Sequence, residues 1–424
     1  MPLSPDFAVR LNPILKNVAA HFGTPFHIYD ETGIQQTGRQ LIEAFKGIAD
    51  FREYFAVKAL PNPKILMIMR EMGFGFDCSS ISELILSRRI GARGEEIMFT
   101  SNNTSPGEFE VAAQDGGSIL NLDDLSLVAK VPLMPELICF RYHPGEARTG
   151  NHIIANPVES KYGLTRDQLP AAFRQARERG AQRFGLHTML ASNELNHRYI
   201  VETTDMLLEL AAWLNDTLGI SFEFINIGGG LGIPYEPDQA PLDLLTMATE
   251  ITSLFHQFEQ RNGEAPNLYM ESGRFMTGPH GVLVTKAINR KDIYRTYIGV
   301  DANISALMRP AMYGSYHHIT VHGKPTPSPT ETVDVVGSLC ENNDKFAINR
   351  TLPKINDGDL LVIHDTGAHG HAMGFNYNGR LRPQELLLRN DGSVERIRRA
   401  ETVDDYFATL DFTADTITME KSSK

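Results

Sequence analysis

The sequence has few cysteines and no long apolar run. Its 424 residues include three cysteines, Cys78, Cys139 and Cys340, whose spacing matches no metal-binding motif. Because three thiols cannot all pair, the sequence predicts a reducing compartment, the cytoplasm. No apolar stretch approaches the roughly 18 residues that span a membrane, and residues 1–7 do not resemble a signal peptide. We therefore expect a cytoplasmic protein with no metal ligands and no membrane partner.

Positive charge is also scarce. The 40 lysines and arginines are outnumbered by 52 aspartates and glutamates, which gives a net charge of -12. Proteins that bind nucleic acid present a basic face, so the composition argues against a nucleic-acid partner. A chain of 424 residues exceeds one ordinary core and is long enough for two domains.

Eight short apolar or β-branched segments alternate with stretches that have helical periodicity, such as residues 203–218. This alternation predicts an α/β fold, a parallel (β/α)₈ barrel of the TIM type, over residues 30–280. The eight predicted strands cover residues 53–57, 73–77, 97–100, 118–122, 137–141, 183–187, 223–227 and 267–271.

The pattern changes after about residue 280, where strand-like segments follow one another without long helices. It predicts a mainly β domain over residues 281–424, joined by about residues 1–29, with residues 26–29 as a further strand of its sheet. The predicted strands here are residues 282–287, 298–301, 317–321, 332–338 and 359–365.

Polar residues or glycines follow five of the predicted barrel strands. In such barrels the chemistry gathers at the C-terminal ends of the strands. One ending of this kind is ordinary packing or a surface pair, but five on one face are hard to explain as packing. These endings are Lys58, Asp77, His187, the glycines 228–230 and Glu271.

The strand-end residues describe a site for pyridoxal phosphate. A partly desolvated lysine such as Lys58 can hold an aldehyde covalently. Gly228, Gly229 and Gly230 let backbone N–H groups approach a phosphate, although a tight turn is the simpler alternative and the Rossmann spacing GxGxxG is absent. Glu271 could hold the proton of the pyridine nitrogen, and the ring would serve as an electron sink.

The predicted second domain adds polar clusters. Arg309 with Tyr313 offers a pair that can bind a carboxylate, and Cys340 beside Glu341 places a thiol next to a carboxylate. His369 lies in a glycine-rich loop. Each cluster could instead be an ordinary loop of a β domain.

Taken in order, these motifs resemble a known family over about residues 22–405. The chain resembles the fold-type III pyridoxal phosphate decarboxylases, and among them most closely the diaminopimelate decarboxylases. The matching stretches are YFAVKALPNPKIL, FDCSSISEL, ESKYGL, INIGGGLGIPY, ESGRFMTGPHGVLVT, LMRPAMYGSYHHI, GSLCENND and NYNGRLRPQELL.

The resemblance implies a role for each matching residue. Lys58 and Cys340 would be catalytic, with Lys58 bonded to the cofactor and Cys340 as proton donor. Cys340 and Glu341 would reach the site of a second copy in a homodimer with shared active sites. The implied cofactor-binding residues are Lys58, Asp77, Met189, Ser192, Gly228, Gly229, Gly230, Glu271, Arg274 and His369. The implied substrate-binding residues are Arg274, Arg309, Tyr313 and Glu341.

Two positions depart from the family pattern. Met189 stands where the family has a histidine stacked on the cofactor ring; a thioether can pack there but supplies no charge or proton. His369 stands where the family has a tyrosine, and an imidazole would be expected to titrate near neutral pH. Both departures leave Lys58, Glu271 and Cys340 in place, and they bear on the substrate more than on the reaction.

The expected function is therefore decarboxylation of an amino acid, with meso-diaminopimelate converted to lysine and CO₂ in lysine biosynthesis as the first candidate. The alternatives are a related decarboxylase for another amino acid with a polar distal end, such as a siderophore, antibiotic or polyamine precursor, and a cofactor-binding regulator without activity. A racemase is less favoured, because the paired Cys340 and Glu341 are not its signature.

Overall fold

The computed structural model describes residues 4–148, 159–324 and 329–413. Two short helices and a strand come first: α1 (Pro5–Leu11), α2 (Leu15–Phe22) and β1 (Phe26–Asp30). Phe7, Leu11 and Leu15 bury their side chains against apolar residues of β1 and of the strands it pairs with. The N-terminal helices therefore cover one face of a sheet and do not belong to the barrel.

Eight parallel strands close a barrel, as the sequence predicted. Within the described residues the strands are β2 (Phe51–Ala56), β3 (Gly75–Cys78), β4 (Ile97–Ser101), β5 (Ile119–Leu122), β6 (Leu137–Arg141), β7 (Arg183–His187), β8 (Phe222–Asn226) and β9 (Asn267–Met270). Helix α3 (Glu31–Ala44) precedes the first barrel strand, and α10 (Arg274–Thr277) follows the last. The helices between barrel strands are α4 (Pro63–Glu71), α5 (Ile81–Arg89), α6 (Pro106–Ala113), α7 (Leu169–Glu178), α8 (His197–Leu218) and α9 (Leu244–Asn262).

The barrel interior is filled with side chains. Tyr54, Met98, Cys139, Phe224 and Tyr269 form one buried cluster, and the rings of Phe224 and Tyr269 stack with their centroids 4.3 Å apart. A packed interior leaves the strand ends as the place where a ligand can enter.

Helix α8 begins six residues before the predicted start at 203. The side chain of Asn196 accepts a hydrogen bond from the Arg198 N–H at 3.1 Å and so caps the helix, which ends at Gly219 in the left-handed conformation. Ile200 is 5% exposed and already belongs to the buried face of the helix, so the predicted start at 203 was too late.

The remaining strands form a second sheet. They are β10 (Gly281–Asp292), β11 (Thr296–Val300), β12 (Ile319–Val321), β13 (Thr330–Val336), β14 (Lys345–Pro353), β15 (Leu360–Ile363), β16 (Gln384–Leu388) and β17 (Val394–Arg398), with short helices α11 (Arg309–Tyr313) and α12 (Val403–Phe407). The sheet runs β14-β13-β11-β10-β1-β16-β17, and β15 pairs with β10 and β12. β1 pairs with β10 and β16, which confirms that residues 26–29 join this sheet.

The sequence analysis missed β14, β16 and β17. β14 is interrupted by the exposed Asn349, whose φ is 50°, and β17 is a polar edge strand that is never fully buried. β16 is buried along its whole length, so it lacks the alternation that marks a half-exposed strand. The predicted domain boundary near residue 280 stays a prediction.

Two kinds of feature are absent from the described residues. No helix there is both long and apolar enough to cross a membrane. No group of three or more histidine, cysteine or acidic side chains is arranged to hold a metal ion in those same segments. The three cysteines are all free; Cys78 and Cys139 are buried and Cys340 is exposed.

Candidate active site

A cavity of about 810 Å³ lies where the C-terminal ends of the barrel strands meet segments that follow β11 and β15. A cavity of this size can hold a cofactor together with a small substrate. Its barrel side includes Lys58, Glu83, Ser192, Tyr235 and Arg274, and its other side includes Arg309, Tyr313, Tyr316 and His369. The structure therefore brings together residues that lie more than 300 positions apart in the chain.

Lys58 lies one turn past the end of β2 and points into this cavity. Its Nζ is 3.0 Å from Asp77 Oδ2; half of the lysine side chain is exposed, whereas Asp77 is 1% exposed. Burial acts to lower the pKa of Lys58, but the charges of Asp77 and Glu271 outweigh it and raise the pKa above the ordinary value of 10.5. The amine is thus held as a charged partner of Asp77 Oδ2. The other oxygen, Asp77 Oδ1, is buried and has no hydrogen-bond partner in the described residues.

Glu271 lies just past the end of β9 and is 7% exposed. His187 Nε2 is 3.2 Å from its Oε2, and Asn226 Nδ2 donates to its Oε1 at 2.7 Å. Burial acts to raise the pKa of Glu271, but His187, Lys58 and Arg141 together lower it to about 2. The structure therefore holds an ionised carboxylate at the strand ends, which can accept a hydrogen bond from a protonated ring nitrogen.

Asn226 was missed by the sequence analysis. It is the last residue of β8, and its Oδ1 accepts a hydrogen bond from the Gly228 N–H at 2.8 Å while its amide donates to Glu271. One side chain thus joins the strand-end carboxylate to the glycine loop. The available signal was a polar residue at the end of an apolar strand, directly before the glycines.

The glycine loop passes very close to the Glu271 backbone. Gly228 and Gly230 have φ values of 70° and 90°, and a Cβ at Gly229 would lie 2.1 Å from the carbonyl oxygen of Glu271. The Gly229 N–H donates to Met189 Sδ at 3.1 Å. Glycine is therefore required here because the loop packs directly on neighbouring backbone, where a side chain would overlap it.

Two buried arginines flank a tyrosine in the cavity wall. The guanidinium carbons of Arg274 and Arg309 lie 5.7 and 5.3 Å from the centre of the Tyr235 ring, and Arg274 Nη1 donates to the Tyr235 hydroxyl at 2.5 Å. The two arginines are 8% and 5% exposed. Their side chains donate to the Tyr235 and Ser315 hydroxyls, and neither forms an ion pair with a carboxylate in the described parts of the chain. The sequence analysis quoted Tyr235 only within a motif, and its place between the arginines is a tertiary feature.

His369 lies on the cavity wall with φ at 56°, and its N–H donates to the Ala59 carbonyl at 2.8 Å. Burial, then the charges of Arg274 and Arg309, lower its pKa well below the ordinary value of 6.5. The expectation that His369 titrates near neutral pH is therefore wrong. His369 stays uncharged because burial and the positive charges of Arg274 and Arg309 both disfavour its protonated form.

Cys340 and Glu341 lie on the surface, and neither is among the residues that line the cavity. The Cys340 N–H donates to Asn378 Oδ1 at 2.7 Å, and Glu341 Oε1 accepts from the Asn343 N–H at 3.0 Å. A single chain therefore does not bring them to Lys58. Ser192, by contrast, lines the cavity as expected.

These residues fit pyridoxal phosphate. Lys58 lines the cavity and offers an amine to its aldehyde, and Glu271 offers a buried carboxylate to its ring nitrogen. The glycine loop, which packs on the Glu271 backbone, would hold its phosphate. Arg274 adds a cation without a carboxylate partner on the same wall.

The chain is similar to a known protein family and to named proteins over most of its length. The family model described as "Pyridoxal-dependent decarboxylase, pyridoxal binding domain" matches residues 34–278. Protein TabA of Pseudomonas amygdali pv. tabaci is 49% identical over 406 residues, which are 96% of each chain. Diaminopimelate decarboxylase of Methanothermobacter thermautotrophicus is 37% identical over 394 residues, 92% of each chain.

A solved structure shares the architecture as well. The crystal structure of diaminopimelate decarboxylase from M. jannaschii superposes with a TM-score of 0.87 at 29% identity, over 94% of both chains. The family model covers more than half of the sequence. The protein is thus an enzyme with pyridoxal phosphate as its cofactor, and its chain belongs to the family of pyridoxal-dependent decarboxylases.

Proposed function

We propose that the enzyme decarboxylates an amino acid whose distal end carries both an amine and a carboxylate, with meso-diaminopimelate, which would give lysine and CO₂, as the first candidate. Relatives named diaminopimelate decarboxylase align over most of the chain, among them the one at 37% identity. One structural neighbour, from Helicobacter pylori, is described as complexed with L-lysine.

The observation that carries the proposal is the buried pair Arg274 and Arg309. Two guanidinium groups facing one cavity without a carboxylate partner in the described chain are costly unless an anion joins them. Arg309 has one buried nitrogen, Nε, without a hydrogen bond. The cofactor phosphate would neutralise one of these positive charges, and a substrate carboxylate would neutralise the other. Tyr313, on the same helix as Arg309, adds a hydroxyl at the cavity edge.

Each site residue has a distinct task in this reaction. When bound, pyridoxal phosphate supplies an electron sink for the pair that stays behind as CO₂ leaves. Lys58 would hold the cofactor and exchange places with the substrate amine, with Asp77 beside its Nζ at 3.0 Å to hold the proton. Glu271 would keep the ring nitrogen protonated, because its own pKa is low and Asn226 and His187 fix its position.

The proton donor would come from a second copy of the chain. Cys340 and Glu341 are exposed in one chain and lie outside its cavity, so we propose a homodimer in which each chain completes the other's site. Mixing Lys58→Ala chains with Cys340→Ala chains tests this. Half of the randomly mixed dimers then carry one intact site of two, so about a quarter of the wild-type activity should return. No recovery after verified mixing would contradict shared sites.

A related amino acid with another polar distal end is the second candidate substrate. It is favoured by the 49% identity to Protein TabA, which exceeds the 37% identity to the diaminopimelate decarboxylase above. Met189, which contacts the glycine loop through its sulfur, and the uncharged His369 also change the cavity wall from the expected pattern.

Release of CO₂ from the cofactor-loaded enzyme decides between these substrates. We expect turnover of meso-diaminopimelate with lysine as product, and an Arg309→Lys variant with a higher KM, because a lysine loses the forked donor geometry. Arg177→Lys, at an exposed arginine that donates to the Leu218 carbonyl, is the matched control. No turnover of meso-diaminopimelate alongside turnover of another amino acid would move the proposal to the second candidate.

A further inference from the structure

A buried carboxylate outside the cavity is hydrogen-bonded to a side chain of the segment that follows Lys58. Glu385 lies on β16 in the second sheet and is 1% exposed. It accepts hydrogen bonds from the Tyr29 hydroxyl at 2.6 Å and from Asn62 Nδ2 at 3.1 Å, and it pairs with Arg398. Asn62 belongs to the barrel and Glu385 to the second sheet. Their hydrogen bond therefore links the barrel to the second sheet four positions after Lys58 in the chain.

Four hydrogen bonds join residues 59–62, which we call the lysine segment, to the second sheet and its loops. The Ala59 carbonyl accepts from the His369 N–H at 2.8 Å, and the Pro61 carbonyl accepts from Arg398 Nη2 at 3.0 Å. Asn62 Nδ2 makes the other two, to Glu385 Oε2 at 3.1 Å and to the Ile397 carbonyl at 3.4 Å. The lysine segment thus follows Lys58 immediately and has little freedom to move relative to the cavity wall.

The energetic cost of Glu385 suggests a positional role. Burying a charge costs several kcal/mol, and a buried ion pair is weak support for stability, because an apolar replacement often serves the fold as well. Glu385 is buried together with Arg398 and lies 3.8 Å from His371 Nδ1. An apolar side chain could not accept the directional hydrogen bond from Asn62. It also could not pair with Arg398, which donates to the Pro61 carbonyl.

We propose that Glu385 is a positioning residue for Lys58, acting through Asn62 and Arg398 on the lysine segment. The inference rests on the proposed role of Lys58 and adds that the second sheet sets the alignment of its amine. A misplacement of about 1 Å at a reacting group costs on the order of 100-fold in rate.

The test uses Asn62→Ser and Glu385→Gln, singly and together. Asn62 also caps α4 by accepting from the Lys64 N–H at 3.1 Å, and serine keeps that cap but is too short to reach Glu385. We expect Asn62→Ser to lower kcat by about 10-fold to 100-fold with little change in KM, and to shift the visible absorption of the cofactor-loaded protein. The double variant should lose less than the product of the two single losses.

Asp334→Asn is the matched control. Asp334 is also a buried carboxylate of the second sheet, 1% exposed, but it bonds Asn349 and has no contact with the lysine segment. It should lower the melting temperature and leave kcat and the absorption unchanged. Wild-type kcat and absorption in Asn62→Ser, or independent effects in the double variant, would overturn the inference.

Borohydride reduction of each loaded protein, followed by peptide mapping, separates this inference from the proposed site. Label on a residue other than Lys58 would overturn the site itself. Label on Lys58 together with an unperturbed Asn62→Ser would overturn only the role of Glu385.

Discussion

Replacing Gly229 with alanine tests the glycine loop directly. A Cβ at this position would lie 2.1 Å from the carbonyl oxygen of Glu271 and 2.9 Å from its carbonyl carbon. Both neighbours are backbone atoms, so no side-chain rotation can relieve the overlap. The loop, the Glu271 backbone or both must move.

The size of that movement follows from the contact distance. Ordinary van der Waals contact begins at 3.4 Å, so the two segments must separate by at least about 1.3 Å, the difference between 3.4 and 2.1 Å. Overpacking of this kind typically costs about 1–3 kcal/mol of stability. Because the displaced residue is also the one whose carboxylate would hold the cofactor ring, we expect a fall in turnover on the order of 100-fold or more.

The assay pairs a cofactor titration followed by absorbance with a thermal melt and CO₂ release. Gly107→Ala is the control, since it makes the same chemical change in α6, where a Cβ would meet nothing within 4 Å. That substitution should raise stability by about 0.5–1 kcal/mol, as expected for alanine over glycine in a helix. A Gly229→Ala protein that binds cofactor and turns over like the wild type would refute the reasoning.

Three further predictions follow from single side chains. Lys58→Ala should release the cofactor on dialysis and lower turnover at least as far as Cys340→Ala does; covalent retention of the cofactor would contradict its role. Cys340→Ala should keep cofactor binding while turnover falls by about 10²–10⁴, whereas Cys78→Ala, in the buried core, should change stability and leave turnover intact. Burial raises the pKa of Glu385, but His371 and Arg398 outweigh it and lower the pKa from 4.5 to about 2. Its stabilisation is therefore complete above pH 4.5 and is lost as the pH falls toward 2. Glu385→Gln should flatten the acid limb of a stability curve measured by chemical unfolding, and an unchanged limb would count against that shift.

The local pattern of apolar and polar residues predicted much of the barrel. Strands of a parallel barrel are buried on both faces and appear as short apolar runs between amphipathic helices, so all eight were found within a few residues. The strand-end positions of Lys58 and Glu271 followed from the same runs. β14 was missed because exposed residues lie in the middle of the strand, and β17 was missed because it is a polar strand at the edge of the sheet. Neither strand shows an apolar run or a regular alternation of apolar and polar residues.

Local pattern does not reveal which side chains meet. Asn226 contacts Glu271 across 45 positions, and Asn62 contacts Glu385 across 323. Such pairs depend on the order of strands in a sheet and on how the sheet packs against the barrel, which no periodicity encodes. The pKa of His369 was mispredicted for the same reason, because burial and two arginines from distant segments surround it.

The sequence by itself determined the chemical inventory: a strand-end lysine, a glycine loop and a strand-end carboxylate, each set by its immediate neighbours in the chain. The tertiary structure decided how that inventory works. It turned Lys58 and Asp77 into an ion pair, placed Tyr235 between two buried arginines, and left Cys340 outside the cavity of its own chain. The physical reason is that charge state and contact depend on burial and on groups brought together from distant parts of the chain, and both arise only when the barrel and the second sheet pack together.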